Sequence, residues 1–367
     1  MLDYRNMGRL PLSLRSVKPR ALLAVDLFSG CGGLTTGLKQ AGFFVVGAVD
    51  NHRLSVETYK ANHSDVRVWR KDIRRLSAAH VRRELQLRRG SLDLLAGCPP
   101  CQAFSSIRTL NGKHALRHKD KDLLFQFLRF IRALKPKAVM IENVPGLAAD
   151  KRVVAFCAAL ARLGYQSEVR VLDAAEYGVP QRRRRMILLA SRVSPIRFGR
   201  KSRRTGTVRK SIAKLSPAGE SGDPLHDFPE KRTSLMERRM RSTPRDGGSR
   251  TAWPPHLRLR CHDHCNGFKD VYGRMAWDDV APTITTGCFN PSKGRFLHPV
   301  HHRAITMREA ALLQGFPKRY KFPKADSKVA VAAMIGNALP PPFIAAHARR
   351  IGTAISRRWN RPQSAAA

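Results

Sequence analysis

The residues best suited to covalent chemistry lie in the stretch 97–106, GCPPCQAFSS. It follows the apolar run 92–96, which predicts a short buried strand. Pro99 and Pro100 end that strand and stiffen the turn, because each proline ring fixes φ and removes an N–H donor. Cys101 therefore sits at the carboxyl end of a strand, where open α/β sheets build their sites. A thiol on a rigid turn suits a nucleophile, since the sulfur needs a fixed line of attack.

Three other interpretations compete with a nucleophile. Cys98 and Cys101 form a C-x-x-C pair, which can be a redox couple or half of a zinc site. The other half would be the CHDHC cluster at 261–265, but that spacing matches no common zinc ribbon or knuckle, so no metal is predicted. The redox interpretation lacks a thioredoxin-like context. Cys98 can also be a buried structural cysteine.

A carboxyl group is predicted at the end of a second strand. The apolar run 138–141 leads into Glu142 and Asn143, ahead of the Pro145-Gly146 turn. Burial favours the protonated form of a carboxyl group, so Glu142 can act as a hydrogen-bond donor or general acid. The alternative is a helix N-cap for the segment that follows, and position alone does not decide between the two.

A run of four arginines, 182–185, lies between Pro180-Gln181 and the predicted strand 186–190. Such a run is usually a solvated face. Because side chains alternate along a strand, however, every second arginine should point inward. Guanidinium groups there would hold a phosphate or a base carbonyl.

A glycine-rich turn begins the chain's first predicted βα unit. Strand 21–28 leads through Ser29-Gly30-Cys31-Gly32-Gly33 into a helix ending near Gln40, and strand 43–49 ends at Asp50. Glycines allow a ligand to approach a helix N-terminus closely, and an acid at this distance commonly binds ribose hydroxyls. The spacing Gly-x-Gly-Gly disfavours a dinucleotide, so the pattern indicates another adenosine-containing cofactor. A third strand region, 66–69, is followed by Asp72-Ile73.

The charge balance indicates a polyanionic partner. The 367 residues include 68 Lys+Arg against 27 Asp+Glu, a formal net charge of +41. Such a surface repels itself unless it meets a polyanion, so nucleic acid is the leading partner. An even, solubilising spread of charge is the alternative, and the arginine-rich middle of the chain argues against it. A role at a membrane surface is disfavoured, since no lipidation motif is present.

Cysteine content and hydropathy bear on the compartment. Seven scattered cysteines indicate a reduced, intracellular protein. No apolar run approaches the length that spans a bilayer, and the segment 21–25 runs straight into Asp26, which predicts a first strand rather than a signal peptide. We predict a cytoplasmic protein without membrane contact.

Changes in amino-acid composition and periodicity along the chain predict where its parts begin and end. Residues 1–20 form a basic tail, and a domain boundary is predicted near 191–196, where a loop-rich basic module begins. Short strand-like pieces are predicted between 268 and 298. Thr306 and Glu309 form a capping box for a helix through Leu313.

Taken together, these motifs resemble those of the bacterial DNA (cytosine-5) methyltransferases. Six of them occur in order over about 21–343: DLFSGCGG at 26–33, PPCQ at 99–102, ENV at 142–144, QxRxR at 181–185, the segment 308–317, and GNA at 336–338. The resemblance implies an α/β fold: a Rossmann-like, doubly wound sheet that binds S-adenosylmethionine, with a smaller, loop-rich target-recognition domain. It implies that 21–195 is the first part of the catalytic domain, that 196–324 is the target-recognition domain, and that the C-terminal segment 325–367 completes the catalytic domain.

The resemblance also implies residue roles. Catalytic roles fall to Cys101, Glu142, Arg183 and Arg185. Cofactor contacts fall to Phe28, Gly30, Gly33, Asp50, Asp72, Ile73, Pro100 and Asn337. DNA contacts fall to Gln181, Ser105, Arg308 and Gln314. Two positions depart from the family pattern, which usually has Gly at Cys98 and Glu at Asp50.

The implied reaction is methylation of C5 of a cytosine in a short sequence of double-stranded DNA. Cys101 would add to C6 and Glu142 would stabilise the charge that develops towards N3, on a base flipped out of the duplex. We expect a monomer in the bacterial cytoplasm, with a cognate restriction endonuclease as a possible partner. The rivals are an RNA cytosine methyltransferase, a catalytically silent DNA-binding relative and a nicotinamide-dependent oxidoreductase.

Overall fold

The computed structural model describes residues 21–100, 123–259, 270–323 and 327–359. Its centre is a seven-stranded sheet. The strands are Leu22–Leu27 (β1), Phe43–Asp50 (β2), Arg67–Arg70 (β3), Leu94–Gly97 (β4), Ala138–Asn143 (β5), Gln166–Asp173 (β6) and Arg184–Ser191 (β7). The α-helices of the described residues are Gly33–Gln40 (α1), Arg53–Asn62 (α2), Ala78–Glu84 (α3), Leu123–Leu134 (α4), Lys151–Arg162 (α5), Val208–Ile212 (α6), Ser234–Ser242 (α7), Met307–Leu313 (α8), Lys328–Asn337 (α9) and Pro341–Trp359 (α10).

The strand order is β3-β2-β1-β4-β5-β7-β6, and only β7 runs antiparallel to its neighbours. The chain moves outward from β1 in one direction to β3 and then returns to β4 on the other side of β1. This reversal of direction creates a crevice at the carboxyl ends of β1 and β4, where ligands bind in open α/β sheets. The predicted doubly wound α/β fold is confirmed.

Both faces of the sheet are covered. One core packs under α3, α4 and α5 and contains Phe127, Phe130 and Phe156; the other packs under α1, α2 and α10 and contains Tyr59 and Phe343. The β1–β4 contact is so close that a Cβ at Gly97 would lie 2.2 Å from the carbonyl oxygen of Leu27. Glycine is therefore required where the candidate nucleophile turn leaves the sheet.

Two further cores lie outside the sheet. A third core joins α6, α8 and α9 and includes Cys31 of the glycine turn. A small fourth core contains Met240, Trp253, Tyr272 and Leu297. We call the described segments that surround this fourth core, residues 234–259, 270–274 and 297–304, the small module. The packing thus separates a smaller unit than the predicted 196–324, and the predicted boundaries themselves stay predictions.

The strand-like pieces predicted between 268 and 298 are wrong for the part of that range that the structure describes. Only isolated bridges form there, such as Arg274 with Leu297 and Leu297 with Ala304. The capping box at the start of α8 is confirmed, because Thr306 accepts from the amide of Glu309 while the Glu309 side chain accepts from the amide of Thr306.

One segment contradicts the prediction that no apolar stretch is long enough to span a bilayer. Residues Lys328–Arg357 are long and apolar enough, by composition, to cross a bilayer. The segment is two helices, however, because α9 ends at Asn337 and α10 begins at Pro341. Its most apolar window is 67% buried within the protein, as expected of core helices.

Candidate active site

The sheet places Glu142 beside the turn that carries the candidate nucleophile. Strands β4 and β5 are parallel with Gly97 opposite Ile141, so the next residues along, Cys98 and Glu142, are neighbours. The side-chain amide of Asn143 donates to the carbonyl oxygen of Pro99 at 2.8 Å and fixes the two strand ends together. The predicted residues Cys101 and Ser105 lie outside the described residues, as does the 261–265 cluster; Pro100 is exposed.

The carboxyl group of Glu142 is buried, with an ion pair at one oxygen and a hydrogen bond at the other. The side chain of Glu142 is 3% exposed, and Arg185 Nε lies 2.9 Å from Glu142 Oε1. The thiol of Cys98 donates to Oε2 at 2.8 Å. Burial, and then the charge of Glu142, raise the pKa of the Cys98 thiol well above its usual range. The N-cap interpretation of Glu142 is wrong, because Asp150 caps the following α-helix, α5.

The arginine run alternates as predicted. Arg182 and Arg184 are exposed, while Arg183 and Arg185 turn inward. Arg183, 2% exposed, donates to the carbonyl oxygens of Ile284, Gly336 and Ala338 at 3.0–3.1 Å. Burial lowers the pKa of Arg183 to about 9. This corrects the expectation that Arg183 holds a phosphate or a base, since protein carbonyls take both terminal nitrogens.

The predicted DNA contacts of Gln181 and Gln314 are also corrected, because both side chains are fully buried. Gln181 Nε2 donates to Gln314 Oε1 at 2.5 Å, and Gln181 Oε1 accepts from the amide of Ile284 at 2.8 Å. Gln314 Nε2 donates to the carbonyl oxygen of Ala338. Together with Arg183 they form a buried hydrogen-bond network that joins the start of β7, the segment at Ile284 and the ends of α8 and α9.

Arg308 is the third predicted DNA contact that lies inside the protein. It is 7% exposed and pairs with Asp223, whose Oδ2 accepts from Arg308 Nε at 2.5 Å. Arg308 Nη1 also donates to the carbonyl oxygen of Tyr320 at 3.0 Å. The side chain therefore fixes α8 to the segments on either side of it and is not presented to a ligand.

The glycine turn after β1 is shaped for close approach. Phe28 has φ 60°, Gly30 φ 53° and Gly32 φ 97°, so the turn is held in left-handed conformations. Among the described residues, a Cβ at Gly30 would meet nothing within 4 Å, which leaves open space over the turn on their side. The buried hydroxyl of Ser29 has no hydrogen-bond partner among the described residues.

The predicted cofactor acids are engaged within the protein. Asp50 Oδ2 accepts from the amide of Gly30 and Oδ1 from the amide of His52, both at 2.8 Å. Burial raises the pKa of Asp50. Asp72 pairs with the guanidinium group of Arg74, which lowers the pKa of Asp72. Asp50 therefore shapes the turn, and each of its oxygens keeps one further lone pair for a ligand.

The other predicted cofactor residues of the sheet domain, Ile73, Gly33 and Asn337, lie in separate elements of the structure. Ile73 is buried in the core under α3, α4 and α5. Gly33 begins α1, where a Cβ would lie 2.5 Å from the carbonyl oxygen of Leu339, and Asn337 is the exposed last residue of α9. The structure thus brings Gly33 and the C-terminal segment together.

Sequence reasoning missed a buttress behind the glycine turn. The hydroxyl of Tyr320 donates to the carbonyl oxygen of Cys31 at 2.5 Å, and His63 Nε2 lies 3.2 Å from the same hydroxyl. A Cβ at Gly32 would lie 2.6 Å from the hydroxyl oxygen of Tyr320. Nothing in the sequence pattern connects three residues so far apart along the chain.

Comparison with known proteins decides the family. Residues 22–353 match the sequence profile described as C-5 cytosine-specific DNA methylase. The chain belongs to this family. It is 35% identical to the Type II methylase M.HgiDII of Herpetosiphon aurantiacus over 86% of this chain and 91% of the relative. It is 30% identical to the Type II methyltransferase M.XorII of Xanthomonas oryzae over 93% of this chain and 87% of the relative.

Solved structures show the same fold. A prophage-encoded DNA modification methyltransferase of E. coli superposes with a TM-score of 0.70 at 21% identity, covering 92% of this chain and all of that one. A Spodoptera frugiperda DNMT2 structure gives 0.59 at 18% identity, covering 90% of this chain and 100% of that one. The Rossmann-like methyltransferase fold therefore extends over nearly the whole chain.

The described residues of this methylase fit S-adenosylmethionine. The cofactor has a carboxylate, an ammonium group, ribose hydroxyls and an adenine ring. The first turn of α1 carries no acid, and no side chain caps this helix because its N-cap residue is Gly32. The backbone amides at the start of α1 therefore suit an anionic group. Within the part of the chain that the structure describes, the hydroxyl of Ser29 has no partner, and it adds a polar group, with the remaining lone pairs of Asp50, beside the space over Gly30.

Proposed function

We propose that this methylase uses S-adenosylmethionine to methylate C5 of cytosine in a specific short sequence of double-stranded DNA. The observation that carries the proposal is the buried carboxylate of Glu142, held by Arg185 and Cys98 three residues before Cys101. A ligand-shaped glycine turn lies at the end of β1, the strand next to β4.

The chemistry of cytosine assigns the roles. C5 is a poor nucleophile until a group adds at C6, and a thiolate of Cys101 forms that C6–S bond. Glu142, in its protonated form, donates to N3 and stabilises the electron density that moves there. S-adenosylmethionine would supply the methyl group, to which C5 bonds as the methyl–sulfonium bond breaks. The C5 proton then leaves to a base, the electron pair restores the ring, and the C6–S bond breaks to release Cys101.

The DNA has to be held and the target base extruded, because the ring cannot be reached inside a duplex. Extrusion costs roughly a few kcal/mol. DNA binding by the small module and by the basic segment before it offsets this cost, and we assign the reading of the DNA sequence to the same parts of the chain. Exposed basic side chains there are Arg200, Lys201, Arg203, Arg204, Arg238, Arg241 and Arg245. Affinity should fall steeply with salt through counterion release.

Four buried residues receive a different role from the one that resemblance implied. Arg183, Gln181, Gln314 and Arg308 hold the frame of the site through contacts with other protein groups. Arg185 acts on the base through its ion pair with Glu142. We further propose that the protein acts as a monomer in the bacterial cytoplasm, and that a restriction endonuclease with the same target is its partner.

The test is transfer of labelled methyl groups to unmethylated plasmid DNA, followed by bisulfite sequencing. Modified cytosines in one repeated short context would support the reaction and give the target. Cys101→Ser should abolish transfer, and a variant that keeps full activity would exclude the covalent step. Incorporation into RNA but not DNA would favour the RNA methyltransferase, and DNA binding without incorporation into either would favour the silent relative.

A further inference from the structure

Cys98 lies one residue beyond β4, in contact with the carboxylate of Glu142. The backbone fixes both sides of this contact. The amide of Cys98 donates to the carbonyl oxygen of Leu27 at 3.3 Å, and Asn143 ties the next residue, Pro99, to the end of β5. The distance of 2.8 Å between the Cys98 sulfur and Glu142 Oε2 is therefore set by the register of two buried strands.

The two oxygens of Glu142 face different side chains. Arg185 lies at Oε1, and the Cys98 thiol donates to Oε2. An ion pair at one oxygen and a hydrogen bond at the other restrict rotation of the carboxyl group about its terminal bond. Each carboxylate oxygen has two lone pairs, so both keep a position for a substrate group.

We propose that Cys98 is a positioning residue for methyl transfer: its thiol, together with Arg185, holds the carboxyl group of Glu142 in the orientation that grips the target cytosine. The inference rests on the proposed function, because that function assigns Glu142 to the base. Cys98 touches neither the base nor the methyl donor and acts through Glu142 alone.

The surroundings of the thiol suit a neutral donor better than a nucleophile. Burial and the adjacent Glu142 charge raise the Cys98 pKa, and the nearby cations Arg185 and Arg183 oppose this only in part. The thiolate is the reactive form of cysteine, so Cys98 should resist alkylation and oxidation. It can keep its proton, and with it the hydrogen bond to Glu142, throughout the reaction.

The test compares Cys98→Ala with Cys98→Ser in the full-length enzyme. Alanine removes the donor, whereas serine keeps a hydroxyl donor at nearly the same place. We expect kcat to fall about tenfold in Cys98→Ala, with KM for S-adenosylmethionine unchanged, and to recover to within about threefold of wild type in Cys98→Ser. Cys157→Ala is the matched control, because Cys157 is a partly buried cysteine of α5, away from Glu142, and should leave kcat unchanged.

Two outcomes would overturn the proposal, and a third would overturn the function on which it rests. Wild-type kcat in Cys98→Ala would show that the thiol does not matter. Equal losses in both variants, in proportion to the folded fraction measured by S-adenosylmethionine binding, would show that Cys98 only packs. A wild-type protein that transfers no methyl group to DNA would instead refute the proposed function, on which the assignment of Glu142 depends.

Discussion

The hydroxyl of Tyr320 donates a hydrogen bond to the carbonyl oxygen of Cys31 at 2.5 Å, across 289 residues of sequence. Tyr320 belongs to an aromatic cluster with Phe316 and Phe322 that follows α8. The glycine turn is therefore braced from behind by a segment that also bonds Arg308, through the Tyr320 carbonyl. Motifs at opposite ends of the sequence form one mechanical unit around the candidate cofactor site.

Tyr320→Phe should weaken S-adenosylmethionine binding. The ring and its packing remain, but the turn loses one buried hydrogen bond, worth about 1 kcal/mol, so Kd should rise about fivefold. Isothermal titration calorimetry measures this directly. Tyr272→Phe, in the small module, serves as the control and should bind as wild type does. Unchanged affinity in Tyr320→Phe, with only a lower Tm, would reduce the residue to core packing.

Arg183→Lys should destabilise the protein although it keeps the charge. Lysine has no planar fork and cannot reproduce bonds to Ile284, Gly336 and Ala338 together, so buried acceptors are left unpaired. The free energy of unfolding should fall by about 3 kcal/mol, measured by urea denaturation. Arg182→Lys, two-thirds exposed (65%), should change it by less than about 0.5 kcal/mol. Equal small effects of the two substitutions would contradict the structural role of Arg183.

Asp26 should make stability fall as pH rises. Burial raises its pKa from 3.8 to about 8. Above pH 3.8 the unfolded chain releases this proton while the native protein keeps it until about pH 8. The contribution is therefore fully present below pH 3.8 and is lost at about 1.4 kcal/mol per pH unit across that window.

Asp26→Asn removes this titration and keeps an acceptor for the Thr35 hydroxyl, which now lies 2.7 Å from Asp26 Oδ2. The variant should be more stable than wild type at pH 8, and the difference should shrink towards pH 4. Thermal unfolding at several pH values measures it. Parallel pH profiles for the two proteins would mean that Asp26 is ionised in the native state.

Local pattern predicted the elements that carry the site. The apolar runs before Cys98 and Glu142 are buried strands, and the alternation of Arg182 to Arg185 followed from strand geometry alone. The edge strand β6 was missed because most of its residues are exposed or half-buried and show no apolar run.

The hydrogen-bond partners of the inward-pointing side chains could not be predicted. Arg183 and Gln181 appeared suited to DNA because a buried polar group needs partners, and a ligand was the partner that the sequence suggested. The actual partners, Ile284 and Ala338, lie more than a hundred residues away along the chain. They meet only through the packing of α8 and α9.

The small module depends on one buried arginine, which gives the last prediction. Arg274 is fully buried and donates to the carbonyl oxygens of Met240, Thr243, His298 and His301. Arg274→Leu would leave these acceptors unpaired, at a cost of about 1–3 kcal/mol for each group that water cannot reach. The small module should lose its structure.

The sheet should tolerate this change, because the fourth core is separate from the cores that cover the sheet. We expect Arg274→Leu to bind S-adenosylmethionine as wild type does while losing sequence-selective DNA binding, measured by calorimetry and by competition between target and non-target duplexes. The exposed Arg241→Leu should keep selectivity and only lower the salt dependence of binding, by about one unit of slope. Selective binding by Arg274→Leu would show that the target is read outside the small module.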